Sequence, residues 1–272
     1  MMLGMGSAHG QIGLRDMEFG LNVGGMNYIG DLNKQKMTGK MNLGYGAFYR
    51  CNFENRWGLV VEGCYGKIEG GNPDVYAWRG LSFSSFVAEA SVRVEFNFLP
   101  FGMREDQWRW TPYIYGGMGA FMFNPQAQWT DPETGAVEWI DLQPLGTEGQ
   151  GTEEYPDRMK YSLMEKMMPF GLGVKLKPFD AVTLAVEYGF RKTWTDYIDD
   201  VSLTYVGSDL LETYGGSLAA AMADPSGHNW PAGYRRGDDS LDDWYAYLNV
   251  SATIRLDKLF WFAMKKRCDL KH

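Results

Sequence analysis

The stretch SSFVAEASVRVEFNF, Ser84–Phe98, alternates without a break. Ser84, Phe86, Ala88, Ala90, Val92, Val94, Phe96 and Phe98 fall on one face, and Glu89, Ser91, Arg93, Glu95 and Asn97 on the other. A period of two is the mark of a β-strand. A strand in a soluble sandwich needs only about five or six residues, whereas one crossing a membrane at a tilt takes roughly 9–11, with lipid on its apolar side and a polar lumen on the other. An open sheet edge in lipid leaves backbone groups unpaired at several kcal/mol each, so the rest of the chain must close a barrel.

Working outward, seven further alternating segments are read as strands: Met17–Tyr28, Met41–Cys51, Trp57–Lys67, Thr111–Phe123, Pro169–Lys177, Val182–Trp194 and Trp244–Leu256. Thr111–Phe123 carries Tyr113, Tyr115, Phe121 and Phe123 on one face. With Ser84–Phe98 the count is eight, and the connections alternate in length. The links after the second, fourth and sixth strands are shorter than those after the fifth and seventh, 124–166 and 195–243. Outer-membrane barrels have this asymmetry, with short periplasmic turns and longer outer loops, which puts both termini in the periplasm. Aromatic residues at strand ends, Tyr28, Tyr49, Trp57, Tyr65, Trp110, Tyr113, Phe123, Trp194 and Trp244, are expected to form the interfacial girdles. A soluble barrel of the lipocalin kind would instead turn its apolar faces inward around a ligand; the strand lengths favour the membrane.

Composition fits one large all-β domain: 272 residues, 34 of them Gly, 15% aromatic, with a formal charge of −8. Acidity without a basic block argues against nucleic acid as a partner. No run of apolar residues is long enough for a helical span. The mean hydropathy is slightly negative, but lipid-facing and lumen-facing residues cancel in such an average. Residues 1–10, MMLGMGSAHG, resemble the tail of a signal peptide or a frayed terminus. Residues 11–256 make the barrel, and 257–272 a periplasmic tail.

Ten charges fall on the faces assigned to the lumen: Glu18, Glu62, Glu89, Glu95 and Glu187 against Arg50, Arg93, Lys175, Arg191 and Arg255. Eight strands leave a lumen that side chains fill, and charges held there must be paired. They are read as a closed polar core rather than an ion path. The three histidines, His9, His228 and His272, are read as lying in the two tails and a long loop, so no strand offers a base to a serine nucleophile and no enzymatic activity is expected. Asp196, Asp199 and Asp200, with Asp238, Asp239, Asp242 and Asp243 at the other end of the same loop, could offer oxygens to Ca²⁺ but lack EF-hand spacing. They are read as a solvated acidic loop. The glycines of Gly146–Gly151 lack the Lys-Ser/Thr of a phosphate loop and are read as a turn-rich outer loop. No cofactor is expected. Cys51 and Cys64, on opposite faces of neighbouring strands, should not pair.

Several stretches taken together, EFGLNVGGMNYIGDLN (Glu18–Asn33), EFNFLPF (Glu95–Phe101), TPYIYGGMGAFMFNPQA (Thr111–Ala127), DLQPLGTEGQG (Asp141–Gly151) and EYGFRKTWTDYIDDVSLTY (Glu187–Tyr205), resemble the PorG-type outer-membrane proteins of the type IX secretion system. The resemblance implies a noncatalytic barrel that links a periplasmic ring, built from the lipoprotein PorK and its partner PorN, to the outer membrane. Two other functions suit such a barrel: a lipid-modifying enzyme, or a surface adhesin acting through its outer loops.

The tail DKLFWFAMKKRCDLKH joins an apolar cluster, Leu259, Phe260, Trp261, Phe262 and Met264, to the basic Lys265, Lys266 and Arg267. Such a cluster marks a contact with a protein or membrane surface, and an odd cysteine in an exported chain suggests intermolecular pairing. The tail is therefore expected to dock on the periplasmic ring, with Cys268 as a point of covalent attachment.

Overall fold

The computed structural model describes residues 17–33, 40–53, 55–71, 79–102 and 105–258. Among the described residues nine strands form: β1 (Met17–Ile29), β2 (Asn42–Asn52), β3 (Trp57–Gly70), β4 (Phe83–Asn97), β5 (Trp110–Thr130), β6 (Val137–Asp141), β7 (Met164–Phe179), β8 (Val182–Thr193) and β9 (Trp244–Arg255). They run in the order β4-β3-β2-β1-β9-β8-β7-β5-β6, every neighbouring pair antiparallel, and β4 also pairs with β5. That last ladder, from Ser84 opposite Gln126 to Asn97 opposite Tyr113, closes eight strands into a barrel. Closure leaves no edge in the wall.

The fold is therefore an eight-stranded antiparallel transmembrane β-barrel. Its outer wall is apolar, with Leu43, Met118 and Leu172 each more than 60% exposed, while the charged faces are buried inside. Tyr49, Trp57, Tyr65, Trp110 and Trp194 are exposed on the wall, as interfacial girdles require. The links 53–56, 98–109 and 180–181 lie at one end and the long connections 131–163 and 194–243 at the other.

Two elements were not expected. β6 lies in the long connection after β5 and pairs with its end, Gln126 opposite Asp141 through Thr130 opposite Val137. The second long connection contains α1 (Ser208–Ala223), interrupted at Gly216, where φ is 77°. Neither shows in a pattern count: β6 is a five-residue hairpin return, and α1 includes a Gly-Gly pair at its break. β7 also begins earlier than the alternation from Pro169 suggested, at Met164.

The register corrects the side assigned to several aromatics. Tyr113, Tyr115, Phe121 and Phe123 of β5 are buried in the lumen, as is Tyr28 of β1, so Tyr28, Tyr113 and Phe123 do not belong to a girdle. Ile114, Met118 and Met122 face the lipid instead. Glycines opposite make the room: a Cβ on Gly189 would lie 1.8 Å from the Tyr115 hydroxyl, and one on Gly173 would lie 2.7 Å from the Tyr113 ring. Inward glycine beneath inward aromatic fills the narrow lumen without strain.

Cys51 is registered against Leu59 and Cys64 against Gly46, so the two do not face one another.

Candidate functional site

The lumen is layered. At the short-turn end Arg50 holds Glu95 through Nε at 2.9 Å and Glu18 through Nη1 at 2.9 Å. Lys175 Nζ donates to the same Glu95 at 2.5 Å and lies 4.2 Å from the Tyr113 ring centre. Above them Arg93 donates to Glu187 at 2.7 Å, lies 3.4 Å from Glu62, and has its guanidinium 4.4 Å from the Tyr115 ring centre. Higher still Arg191 donates to Glu89 at 2.9 Å, and the Tyr245 hydroxyl donates to Glu89 at 2.6 Å. Nine of the ten lumen charges read from the alternation meet here, every one buried. Arg255 does not: it sits at the rim, paired with Asp180 at 2.6 Å and Asp257 at 2.7 Å. Its inward place is taken by Lys177, 3.8 Å from Glu18.

Toward the long-loop end the filling becomes apolar. Met26, Tyr28, Ile68, Phe83, Val87, Phe121, Phe123 and Met167 pack with Leu32, Ile198 and Val201 from the connections in one cluster. The barrel is thus sealed twice, by ion pairs and then by side-chain packing.

Over this seal sits a folded cap, and here the solvated-loop reading fails. Asp196, Asp199, Asp200 and Asp243 are all buried, as are Asp31 and Glu148. The Gly146–Gly151 turns are not a loose outer loop either: Thr147, Glu148 and Gln150 form part of the cap interior. Glu148 accepts from the backbone N–H groups of Ser202 and Leu203, each at 3.0 Å, and from Arg236 at 3.1 Å. Arg236 also lies 3.4 Å from Asp200 and donates to the Asp200 carbonyl oxygen. Asp200 accepts in addition from Thr147 at 2.5 Å and Tyr161 at 2.7 Å. Burial lifts the Asp200 carboxyl to about 6 although Arg236 and these donors oppose it, and burial lifts Asp196 to about 9.

Glu148 and Arg236 carry no sequence signal of this role, because their partners are 54 and 36 positions away. Asp238, Asp239 and Asp242 lie apart from the buried group: Asp239 and Asp242 are exposed, and the Asp238 backbone N–H donates to Asp31 at 2.5 Å. His228 stacks on Trp230 with ring centres 5.2 Å apart.

Among the described residues, Glu62, Cys64 and Glu89 are the one group whose ligand atoms converge as metal ligands would. Both carboxylates already face Arg93 and Arg191, so the charge a metal would neutralise is already balanced. The tail residues Leu259, Phe260, Trp261, Phe262, Lys265, Lys266, Arg267 and Cys268 lie outside the described residues.

The chain is similar to several solved outer-membrane proteins. Neisserial surface protein A aligns with a TM-score of 0.42 at 8% identity, over 88% of this chain and 97% of that one. Ail, the attachment invasion locus protein of Yersinia pestis, in complex with the heparin analogue sucrose octasulfate, aligns at 0.39 and 10%, over 88% and 98%. The outer membrane protein OprG from Pseudomonas aeruginosa aligns at 0.38 and 11%, over 88% and 96%. No curated protein matches the chain in sequence. A family model does, over residues 1–136, half of the chain and the part that builds β1 to β5. The chain belongs to the family described as Domain of unknown function (DUF6089).

Proposed function

We propose that this chain is a noncatalytic outer-membrane component of a type IX protein secretion machine, anchoring a periplasmic ring of PorK-like lipoprotein and PorN-like subunits. The observation that carries the reading is the doubly sealed lumen. A barrel filled by the Arg50–Glu95–Lys175 and Arg93–Glu187 pairs and then by packed aromatics offers no path for an ion or a polypeptide. Its use must lie in its ends and its wall, and the resemblance of several stretches to PorG-type proteins supports a ring-bound anchor. The apolar wall places it in the outer membrane, since membranes are spanned by helices or closed barrels. The short-turn end, where β1 begins and β9 ends, then faces the periplasm, where a ring would meet it. Co-purification from gently solubilised membranes with reversible crosslinking tests the proposal: ring subunits recovered with the native chain support it, and their absence overturns it.

A surface-adhesion role is the second reading, favoured by a cavity of about 520 Å³ beside α1 on the long-loop side, lined by Tyr205, Leu211, Ala220 and Trp230 with Asp209 and Glu212. Deleting α1 with loss of surface binding and intact secretion would favour it over the anchor.

A further inference from the structure

At the barrel mouth Tyr28, Asp199 and Asp243 meet in a way that counts protons. The Tyr28 oxygen lies 2.6 Å from Asp199 Oδ2 and 2.5 Å from Asp243 Oδ1. A phenol has one hydrogen and an ionised carboxylate has none. With both aspartates ionised, one of these two contacts would press bare oxygens together at hydrogen-bond distance. All three side chains are buried, so no bulk water relieves the conflict. Among the described residues no lysine or arginine nitrogen lies within ion-pair distance of either aspartate; Arg236, a buried cation that acts on Asp199, is committed to Glu148 and Asp200. The other charged groups that bear on the pair are acidic, Asp31 from the turn after β1 and Asp196 from the same loop as Asp199.

We propose that Tyr28, Asp199 and Asp243 form a proton-binding site that latches the cap onto the barrel mouth. The hydrogen bonds assign the proton. Asp199 accepts the Val201 N–H at 3.0 Å and the Leu32 N–H at 3.3 Å, both of which favour its ionised form, so it takes the Tyr28 hydrogen as well. Asp243 accepts a single backbone donor, the Ile198 N–H at 2.9 Å. It is the carboxylic acid, and its O–H donates to the Tyr28 oxygen. Tyr28 lies on β1, Asp199 in the 194–207 segment and Asp243 immediately before β9, so the bound proton ties the cap to both strands beneath it.

Burial drives Asp243 well above the usual carboxylate range, the negative charge of Asp199 adding to it. The closed cap therefore binds a proton that the open cap, with carboxyls near their ordinary values, does not. Closure is then strongest in acid and weakens as pH rises from the ordinary carboxylate range toward the raised value of Asp243. The Asp243 proton contributes about tenfold per pH unit to this slope, beside the buried cap carboxyls Asp196 and Asp200, which burial also raises.

Hydrogen exchange of the whole chain in lipid nanodiscs, corrected for the intrinsic pH dependence of exchange, reads this slope. Protection of 195–206 should fall steadily between pH 5 and pH 8. In Asp243→Asn, whose amide supplies the donor without a titrating proton, the slope should drop by about tenfold per pH unit and the cap should stay closed at pH 8. Infrared difference spectra supply a direct readout: a protonated carboxylic acid carbonyl present at pH 6.5 in the native chain and reduced in Asp243→Asn. Asp199→Asn serves as a second variant should the first fold poorly. Protection independent of pH in the native chain, or an unchanged slope and carbonyl band in the variants, overturns the site. So does a cap that opens in EDTA at constant pH, because a metal ion would then stand where the proton is placed.

Discussion

Arg191 and Glu89, on β8 and β4, face each other across the lumen at 2.9 Å with both side chains fully buried, although 102 positions separate them in the chain. Ion pairs of this kind stabilise little relative to an apolar filling of the same volume, but removing one partner strands a buried charge at about 3–5 kcal/mol. Glu89→Gln should therefore lower stability by that amount, and Glu89→Leu combined with Arg191→Met should recover most of it. Urea unfolding of the refolded barrel in micelles measures both, and a double variant as unstable as the single would refute the interpretation.

Facing on β4 sets a second contrast. Val92 is 48% exposed on the lipid side and Ser91 is buried inside, opposite Glu62 in the β3–β4 register. Val92→Arg should cost about 2–4 kcal/mol in bilayers, whereas the arginine of Ser91→Arg meets the Glu62 carboxylate and should be tolerated better. Folding yield into lipid vesicles decides between them, and the reverse order would mean that inside and outside have been exchanged.

The contact between Gly189 and Tyr115 predicts a rescue. Adding a methyl group at Gly189 places it 1.8 Å from the Tyr115 hydroxyl, so Gly189→Ala should destabilise the barrel by about 1–3 kcal/mol through overpacking. Tyr115→Phe in the same chain removes the clashing oxygen and should restore part of the loss in thermal unfolding.

Arg236 is the buried guanidinium that keeps Glu148 and Asp200 together in the cap. Arg236→Met should loosen the cap by about 3–5 kcal/mol at neutral pH and leave the barrel intact. Without the cation the Asp200 carboxyl, already raised to about 6 by burial, rises further. Lowering the pH should therefore reclose the variant's cap more than the native one. Hydrogen exchange of 199–206 at pH 5 and pH 7 shows this directly.

The sealed lumen predicts silence in planar bilayers. The purified chain should give no unitary conductance steps at neutral pH, because the Arg50–Glu95 and Arg93–Glu187 layers leave no continuous water column. Steady channel openings would overturn the plugged-barrel description.

Alternation along the chain by itself determined the eight wall strands, the lipid-facing set of β4 and nine of the ten lumen charges that the fold brings together, because side-chain direction in a strand depends only on parity. It could not assign the aromatics of β5, since Tyr115 is apolar enough for lipid and polar enough for the lumen. Its side is decided by the inward Gly189 of a strand that reaches it only through β7. Nor could it tell a solvated aspartate from a buried one. Asp243 meets Tyr28 from 215 positions away, and the burial that makes it hold a proton arises only once β9, β1 and the cap close together. The tertiary structure decided the chemistry of the cap because desolvation and hydrogen-bond count, which set a carboxyl's charge, belong to the packed neighbourhood rather than to the residue.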